Sequence, residues 1–146
     1  MAAHPPPWLY VATAQALDDE MRARVAAHRA ARGDAGWRTV EEPLDLAGAL
    51  RAAGERPALV DCLTLWLSNL LLGGHDIGAA TAALDGALGA RAAPTVLVAN
   101  EVGLGIVPDN ALARRFRDEA GQLNQRVAAR ADAVVLTVAG IPVRIR

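Results

Sequence analysis

The stretch Thr95-Val-Leu-Val-Ala-Asn-Glu-Val-Gly-Leu-Gly-Ile-Val-Pro108 decides how the rest of the chain is read. Its opening run, Thr95 to Ala99, is apolar and β-branched without alternation, the pattern of a short strand covered on both faces. Asn100-Glu101 ends that run, and the glycine-rich segment Val102 to Pro108 can only be a loop. The same order of apolar run, polar end and loop recurs at Trp8–Thr13, Pro57–Asp61 and Ala133–Val138, with a weaker alternating strand at Trp37–Glu41. Helices fill the intervals. Leu17, Met21 and Val25 recur at helical spacing behind the carboxylates Asp18 and Asp19, and Gly33 closes that segment, which predicts a helix over 18–32. Further helices are expected over 44–53, closed by Gly54; over 63–72, stopped by Gly73-Gly74; over the alanine-rich 77–93; and over 110–130. Gly140 to Arg146 is expected to add a short edge strand after a turn. Strands that alternate with helices in this way build an α/β fold around a mostly parallel sheet.

The chain is 146 residues long, 53% hydrophobic and 21% charged, which suits one compact domain over 1–146 with a sizeable core. Fifteen basic against sixteen acidic residues leave a net charge of -1, so no global field draws the chain to nucleic acid or an anionic membrane. Cys62 is the single cysteine and cannot form an internal disulfide. The start, Met1-Ala-Ala-His-Pro-Pro-Pro, has no basic n-region or apolar h-region, and no apolar run is long enough for a membrane anchor. A soluble, cytoplasmic protein is expected.

In parallel sheets ligands collect at the carboxyl ends of strands. Thr13-Ala14-Gln15, Asp61, Asn100-Glu101 and Thr137 each end a strand that reads as buried, and are expected to line one crevice. Asp61 suits a magnesium contact, direct or through water, although a carboxylate there serves equally well as a cap for the helix that follows. Arg24, His28 and Arg32 fall at i, i+4 and i+8, so they stack on one helix face with Arg29 beside them. Neighbouring cations keep an imidazole neutral and nucleophilic, and guanidinium groups hold phosphate oxygens bidentately; a solvated basic face gives the same spacing. Glu41 or Glu42 can accept from the N–H edge of guanine, or face solvent. Arg114, Arg115 and Arg117 can reach a phosphate or pair with Asp118 and Glu119 along their helix. Trp8, Trp66 and Phe116 read as core, and His4 and His75 as sites without a role.

Several whole stretches are very similar to the adenosylcobinamide kinase/adenosylcobinamide-phosphate guanylyltransferase family of cobalamin biosynthesis. They are Tyr10-Val-Ala-Thr-Ala-Gln15, Arg24-Val-Ala-Ala-His28, Trp37-Arg-Thr-Val-Glu-Glu-Pro43, Asp61-Cys-Leu-Thr64, Asn100-Glu-Val-Gly-Leu-Gly-Ile-Val-Pro108 and Val143-Arg-Ile-Arg146, in the family's order. The resemblance implies a P-loop NTPase (RecA-like) sheet and two linked reactions. Adenosylcobinamide is phosphorylated with a nucleoside triphosphate, ATP or GTP, and GMP then passes from GTP through a histidine to give adenosylcobinamide-GDP. It places His28 as that histidine, and Ala12, Thr13, Ala14, Arg29, Ala30, Ala31, Arg32, Glu41 and Asp61 on nucleotide-contacting positions, with Mg2+ at Asp61. Asn100 and Glu101 are expected on the substrate side, and a homo-oligomer, a trimer, is implied.

One departure accompanies the match. The family opens with a strand, a Gly-Gly-x-Arg-Ser-Gly-Lys-Ser type loop and a helix, whereas this chain opens just before the second strand and contains no lysine. A P-loop cradles triphosphate with its N–H groups, Lys and Ser, so its lack is expected to cripple both reactions and to leave a gap in the sheet flanked by unpaired edges. A true start upstream of Met1 is the favoured explanation, ahead of a decayed gene or a non-catalytic nucleotide- or corrinoid-binding remnant. Translating the upstream DNA in frame distinguishes the first.

Overall fold

The computed structural model of the protein describes residues 4–15, 19–32 and 36–146, with the backbone alone for Met21, Arg24, His28, Arg29, Ala31 and Arg32. The elements run β1 (Trp8–Ala12), α1 (Asp19–Arg32), β2 (Trp37–Glu41), α2 (Leu46–Ala53), β3 (Ala58–Asp61), α3 (Leu63–Leu72), α4 (Ile77–Gly89), β4 (Thr95–Val98), α5 (Ala111–Arg130), β5 (Val135–Val138) and β6 (Ile141–Arg144). They fall into two compact units, Met1–Glu101 and Val102–Arg146.

In the first unit, β2, β1, β3 and β4 lie side by side in that order, every pair parallel. The gap expected from the sequence does not interrupt these four strands, which form one unbroken ladder with β2 and β4 at its edges. Residues two apart on a strand share a face, so Leu9, Val11, Ala58 and Val60 project together, and all four are buried. Helix α2 packs on β1 and α4, and α3 packs on α4 and β4. Leu46, Leu50, Trp66, Leu67 and Leu84 are each less than 2% exposed and fill the core. Trp66 can be buried because its indole N–H donates to Leu44 O at 2.8 Å. The other sheet face carries three aromatics. The ring centroids of Trp8 and Trp37 are 5.3 Å apart and those of Tyr10 and Trp37 6.1 Å apart, both edge-on.

Side-chain caps set several boundaries that periodicity alone misplaces. Helix α2 begins at Leu46 rather than Leu44 because Asp45 accepts from Gly48 N at 2.8 Å and so occupies the cap position. Asn110 likewise caps α5 instead of opening it, accepting from Ala113 N at 2.8 Å. Helix α4 ends at Gly89, short of the expected Ala93. Pro94 biases its predecessor away from helical geometry, and Arg91 turns inward to a different task. Its Nη1 donates to Leu50 O at 2.6 Å and Gly54 O at 2.9 Å, its Nη2 to Arg56 O at 2.7 Å and its Nε to Thr95 Oγ1 at 3.1 Å. One guanidinium thereby ties the end of α2 and the entry to β3 to the start of β4. Burial lowers its pKa from the usual arginine value, since desolvation disfavours the charged form.

The second unit holds α5 and an antiparallel ribbon of β5 and β6. The sequence reading has Thr137 at the end of a long strand buried like those of the parallel sheet. Instead β5 spans four residues, is exposed along its length and pairs with β6. The reason is the two-residue turn: Ala139 and Gly140 have φ of 52° and 78°, the left-handed pair that folds a chain back as a tight hairpin. A strand joined in this way takes its own successor as partner. Arg146 closes the unit by donating to Ala128 O at 3.1 Å and Ala129 O at 3.2 Å at the end of α5.

Arg91→Ala is expected to lower unfolding free energy by about 2 kcal/mol, because hydrogen bonds from a charged group to carbonyls are lost. Arg91→Lys should recover less than half of it, since an ammonium lacks the planar fork. Urea denaturation of the three proteins measures both.

Candidate functional site at the carboxyl edge of the sheet

Parallel register brings the strand ends level. Ala12 pairs with Glu41 on one side and with Asp61 on the other, and Asp61 pairs with Val98. Partners in a parallel ladder project from the same face, so Glu41, Ala12 and Asp61 stand in a row about 5 Å apart from strand to strand. Three positions separated by tens of residues in the chain thus form one rim.

Just past β1, Thr13 is fully buried. Its N–H donates to Asp61 O at 3.0 Å, its hydroxyl donates to Cys62 O at 2.7 Å, and that hydroxyl also accepts from Cys62 N at 2.8 Å. The side chain adds a rung where the strands diverge. Asn69 of α3 braces the next turn, its amide nitrogen donating to Thr13 O at 2.8 Å and Pro43 O at 3.1 Å. On the other side of β1, Glu42 N donates to Ala12 O at 2.9 Å. The Glu42 carboxylate accepts from Leu44 N at 3.0 Å and Asp45 N at 2.8 Å. Of the two glutamates read as possible base contacts, Glu42 therefore shapes the loop into α2, while Glu41 stands exposed at the rim.

Asp61 is half-buried, and the helix-cap reading of it does not hold. The N-cap of α3 is Cys62, which makes no side-chain capping bond. Asp61 Oδ2 instead accepts a hydrogen bond from the Tyr10 hydroxyl. At the end of β4, Asn100 N donates to Thr64 Oγ1 at 2.7 Å, fastening the Asn100-Glu101 turn to the first turn of α3. Ala14 and Ala30 are accessible in part or wholly. The side chains of His28, Arg29, Ala31 and Arg32 lie outside the described residues, although their backbone belongs to α1.

Sequence reasoning assigned no role to Tyr10, Thr64 or Asn69. Tyr10 and Asn69 had a usable signal, a hydroxyl and an amide set among apolar neighbours in elements that read as buried, where such groups need partners. Among the described residues no three His, Cys, Asp or Glu gather to hold a metal. A lone carboxylate does fit Mg2+, which keeps most of its waters and takes its remaining ligands from substrate phosphates. A cavity of about 310 Å³ lies among Leu44, Asp45, Trp66, His75 and Asp76, with none of the expected site residues in its lining. Its two aspartates are committed to capping α2 and α4. In the second unit, Arg117 donates to Gly103 O at 2.8 Å and Arg114 to Pro108 O at 3.0 Å and Asp109 O at 2.6 Å, so both hold loop carbonyls. Arg115 approaches Glu119 at 3.9 Å across one helical turn, at the surface.

A parallel, helix-flanked sheet with its polar residues on the carboxyl edge is a nucleotide-binding α/β architecture, consistent with the P-loop NTPase type of the family whose model the chain matches. The chain belongs to the cobinamide kinase / cobinamide phosphate guanyltransferase family, whose model matches residues 1–145. It is 51% identical over 141 residues to the bifunctional adenosylcobalamin biosynthesis protein CobP of Pseudomonas aeruginosa, covering 94% of this chain and 81% of that protein. Against the bifunctional adenosylcobalamin biosynthesis protein CobU of Salmonella typhimurium the identity is 46% over 158 residues, 97% of this chain and 87% of that one. The CobU protein of Escherichia coli is 43% identical over 155 residues, 94% and 85% of the two chains.

Thr13→Val keeps the shape but leaves Cys62 N buried without its acceptor, and should cost about 2 kcal/mol in chemical denaturation. Thr13→Ser should restore most of the loss.

Proposed function

We propose that this protein acts in cobalamin biosynthesis as a cytoplasmic, homo-oligomeric enzyme, a trimer by family resemblance, that phosphorylates adenosylcobinamide and then transfers GMP to the product. The observation that supports this reading most directly is the shared level of Ala12, Glu41 and Asp61 on one rim of the parallel sheet, in a chain of the cobinamide kinase / cobinamide phosphate guanyltransferase family.

In the kinase step the aminopropanol hydroxyl of adenosylcobinamide attacks the γ-phosphorus of ATP or GTP, the bond from that phosphorus to the β-phosphate oxygen breaks and the nucleoside diphosphate leaves, while Glu101, with Asn100 beside it, receives the hydroxyl proton. In the second step a His28 nitrogen attacks the α-phosphorus of GTP. The bond to the β-phosphate oxygen breaks and pyrophosphate leaves, with Arg29 and Arg32 offsetting the developing charge. A phosphate oxygen of adenosylcobinamide phosphate then attacks that phosphorus, the phosphorus–nitrogen bond breaks, and adenosylcobinamide-GDP is released. Mg2+, when bound, neutralises phosphate charge; Asp61 is the residue that would hold it, directly or through water. Glu41 accepts from the ring N–H and amino groups of guanine. The backbone of Ala12 to Ala14, fixed by Thr13, and the α1 backbone at Ala30 and Ala31 shape the nucleotide seat.

In a form that carries the Gly-rich Lys-Ser loop, GTP labelled on the α-phosphate should transfer label to the protein and not to its His28→Ala variant. Label that stays with the variant removes His28 from the mechanism, and tight GTP binding without pyrophosphate release would mark a binding protein instead. For Glu41→Gln, the preference for GTP over ITP, which lacks the amino group, should fall about tenfold in kcat/KM, since one charge-assisted bond weakens.

A further inference from the structure

Tyr10 lies one pleat before the rim, is 7% exposed, and belongs to none of the steps above. In the ladder it pairs with Leu59, and Leu59 and Asp61 project from the same face of β3. The phenol therefore reaches diagonally toward the strand end, where its hydroxyl donates to Asp61 Oδ2. The ring is itself restrained, set edge-on to Trp37 at 6.1 Å, and Trp37 edge-on to Trp8 at 5.3 Å. A line of packed aromatics thus runs along the sheet face and ends on one carboxylate oxygen.

Two features distinguish this from ordinary satisfaction of a buried hydroxyl. First, Asp61 is not anchored by the following helix, whose N-cap residue is Cys62 without a side-chain bond. The Tyr10 hydroxyl instead holds one of its oxygens. Second, the donor is neutral. An arginine or lysine at this place would cancel the charge of Asp61, whereas a phenol takes up one of about four acceptor positions and leaves the negative charge in place. An oriented carboxylate that keeps its charge is the arrangement a cation contact requires.

We propose that Tyr10 is a positioning residue that holds the Asp61 carboxylate in the orientation used to bind a divalent cation with its nucleotide, and so sets the cation affinity of the site. This rests on the reading of Asp61 as the magnesium contact. The phenol acts through Asp61 and need not touch the cation or the nucleotide.

The test titrates Mg2+ at fixed, subsaturating GTP and follows GTP binding by calorimetry, for the protein, Tyr10→Phe and Asp61→Asn. Tyr10→Phe keeps the ring and its packing, so its thermal midpoint should stay within a few degrees. Its Mg2+ concentration for half-maximal binding should rise about tenfold, as expected when the hydrogen-bond partner of a metal-ligating carboxylate is removed, and Asp61→Asn should raise it further. A shift in Asp61→Asn with none in Tyr10→Phe overturns the positioning role and leaves the Asp61 assignment standing. No shift in either variant overturns the Asp61 assignment and this inference with it.

Discussion

The bond pair between the Thr13 hydroxyl and the Cys62 backbone, at 2.7 and 2.8 Å, is the constraint on which the site depends. Parallel strands must part at their carboxyl ends so that each chain can turn into its helix, and each parting leaves backbone groups that the ladder no longer serves. At β1 and β3 the parting is delayed by a side chain that acts as both donor and acceptor. The hydroxyl of a threonine can do this; a valine of the same shape cannot. Because the ladder is held one step further, Ala12 and Asp61 stay level, and Glu41 is level with them through β1.

The polar residues around this edge divide by task. Thr13, Asn69, Thr64 and Glu42 are engaged with backbone groups of neighbouring turns and hold the loops after β1, β2 and β4 in place. Glu41 at the end of β2 and Asn100 and Glu101 just past β4 are exposed, and Asp61 at the end of β3 is half-buried. Such a division is what a preorganised site needs, since a group that contacts ligand is only as well placed as the turn that carries it. It also explains why the adjacent glutamates differ. Glu42 lies one residue past β2, close enough to the start of α2 to accept from Leu44 N and Asp45 N, and Glu41 is still within the strand.

Much of this was legible in the sequence. Thr95 to Val98 is a strand because an aliphatic and β-branched run that ends at Ala99 before Asn100 allows little else, and Gly54 and Gly73 end helices for local reasons. Of the rim residues, Asp61 could be placed because parallel sheets gather strand ends, whereas Ala12 came with the family resemblance and Glu41 with that resemblance and the match of a carboxylate to a guanine edge. What periodicity cannot see is a partner chosen through a turn: Ala133 to Val138 reads as one more buried strand, and only the left-handed conformation of the non-glycine Ala139 makes it half of a hairpin. Nor does it show where a long side chain goes. Arg91 sits where an alanine-rich helix is expected to continue, yet it collects carbonyls from Leu50, Gly54 and Arg56.

Asp61 carries the same lesson in a sharper form. Helices α2, α4 and α5 each take a side-chain cap from Asp or Asn, a contribution of about 1 kcal/mol apiece. Helix α3 takes none, although a carboxylate stands one residue before its N-cap. A sequence optimised only to fold would place that acid at position 62 and an apolar residue at 61. This chain puts at the cap a thiol that makes no side-chain capping bond, and binds the carboxylate to a tyrosine on the neighbouring strand. Local rules that hold for three helices and lapse at the fourth, on the edge where the strand ends gather, are expected where selection acts on binding rather than on helix stability. That the lapse falls at Asp61 supports the role proposed for it beyond what its place at a strand end alone offers.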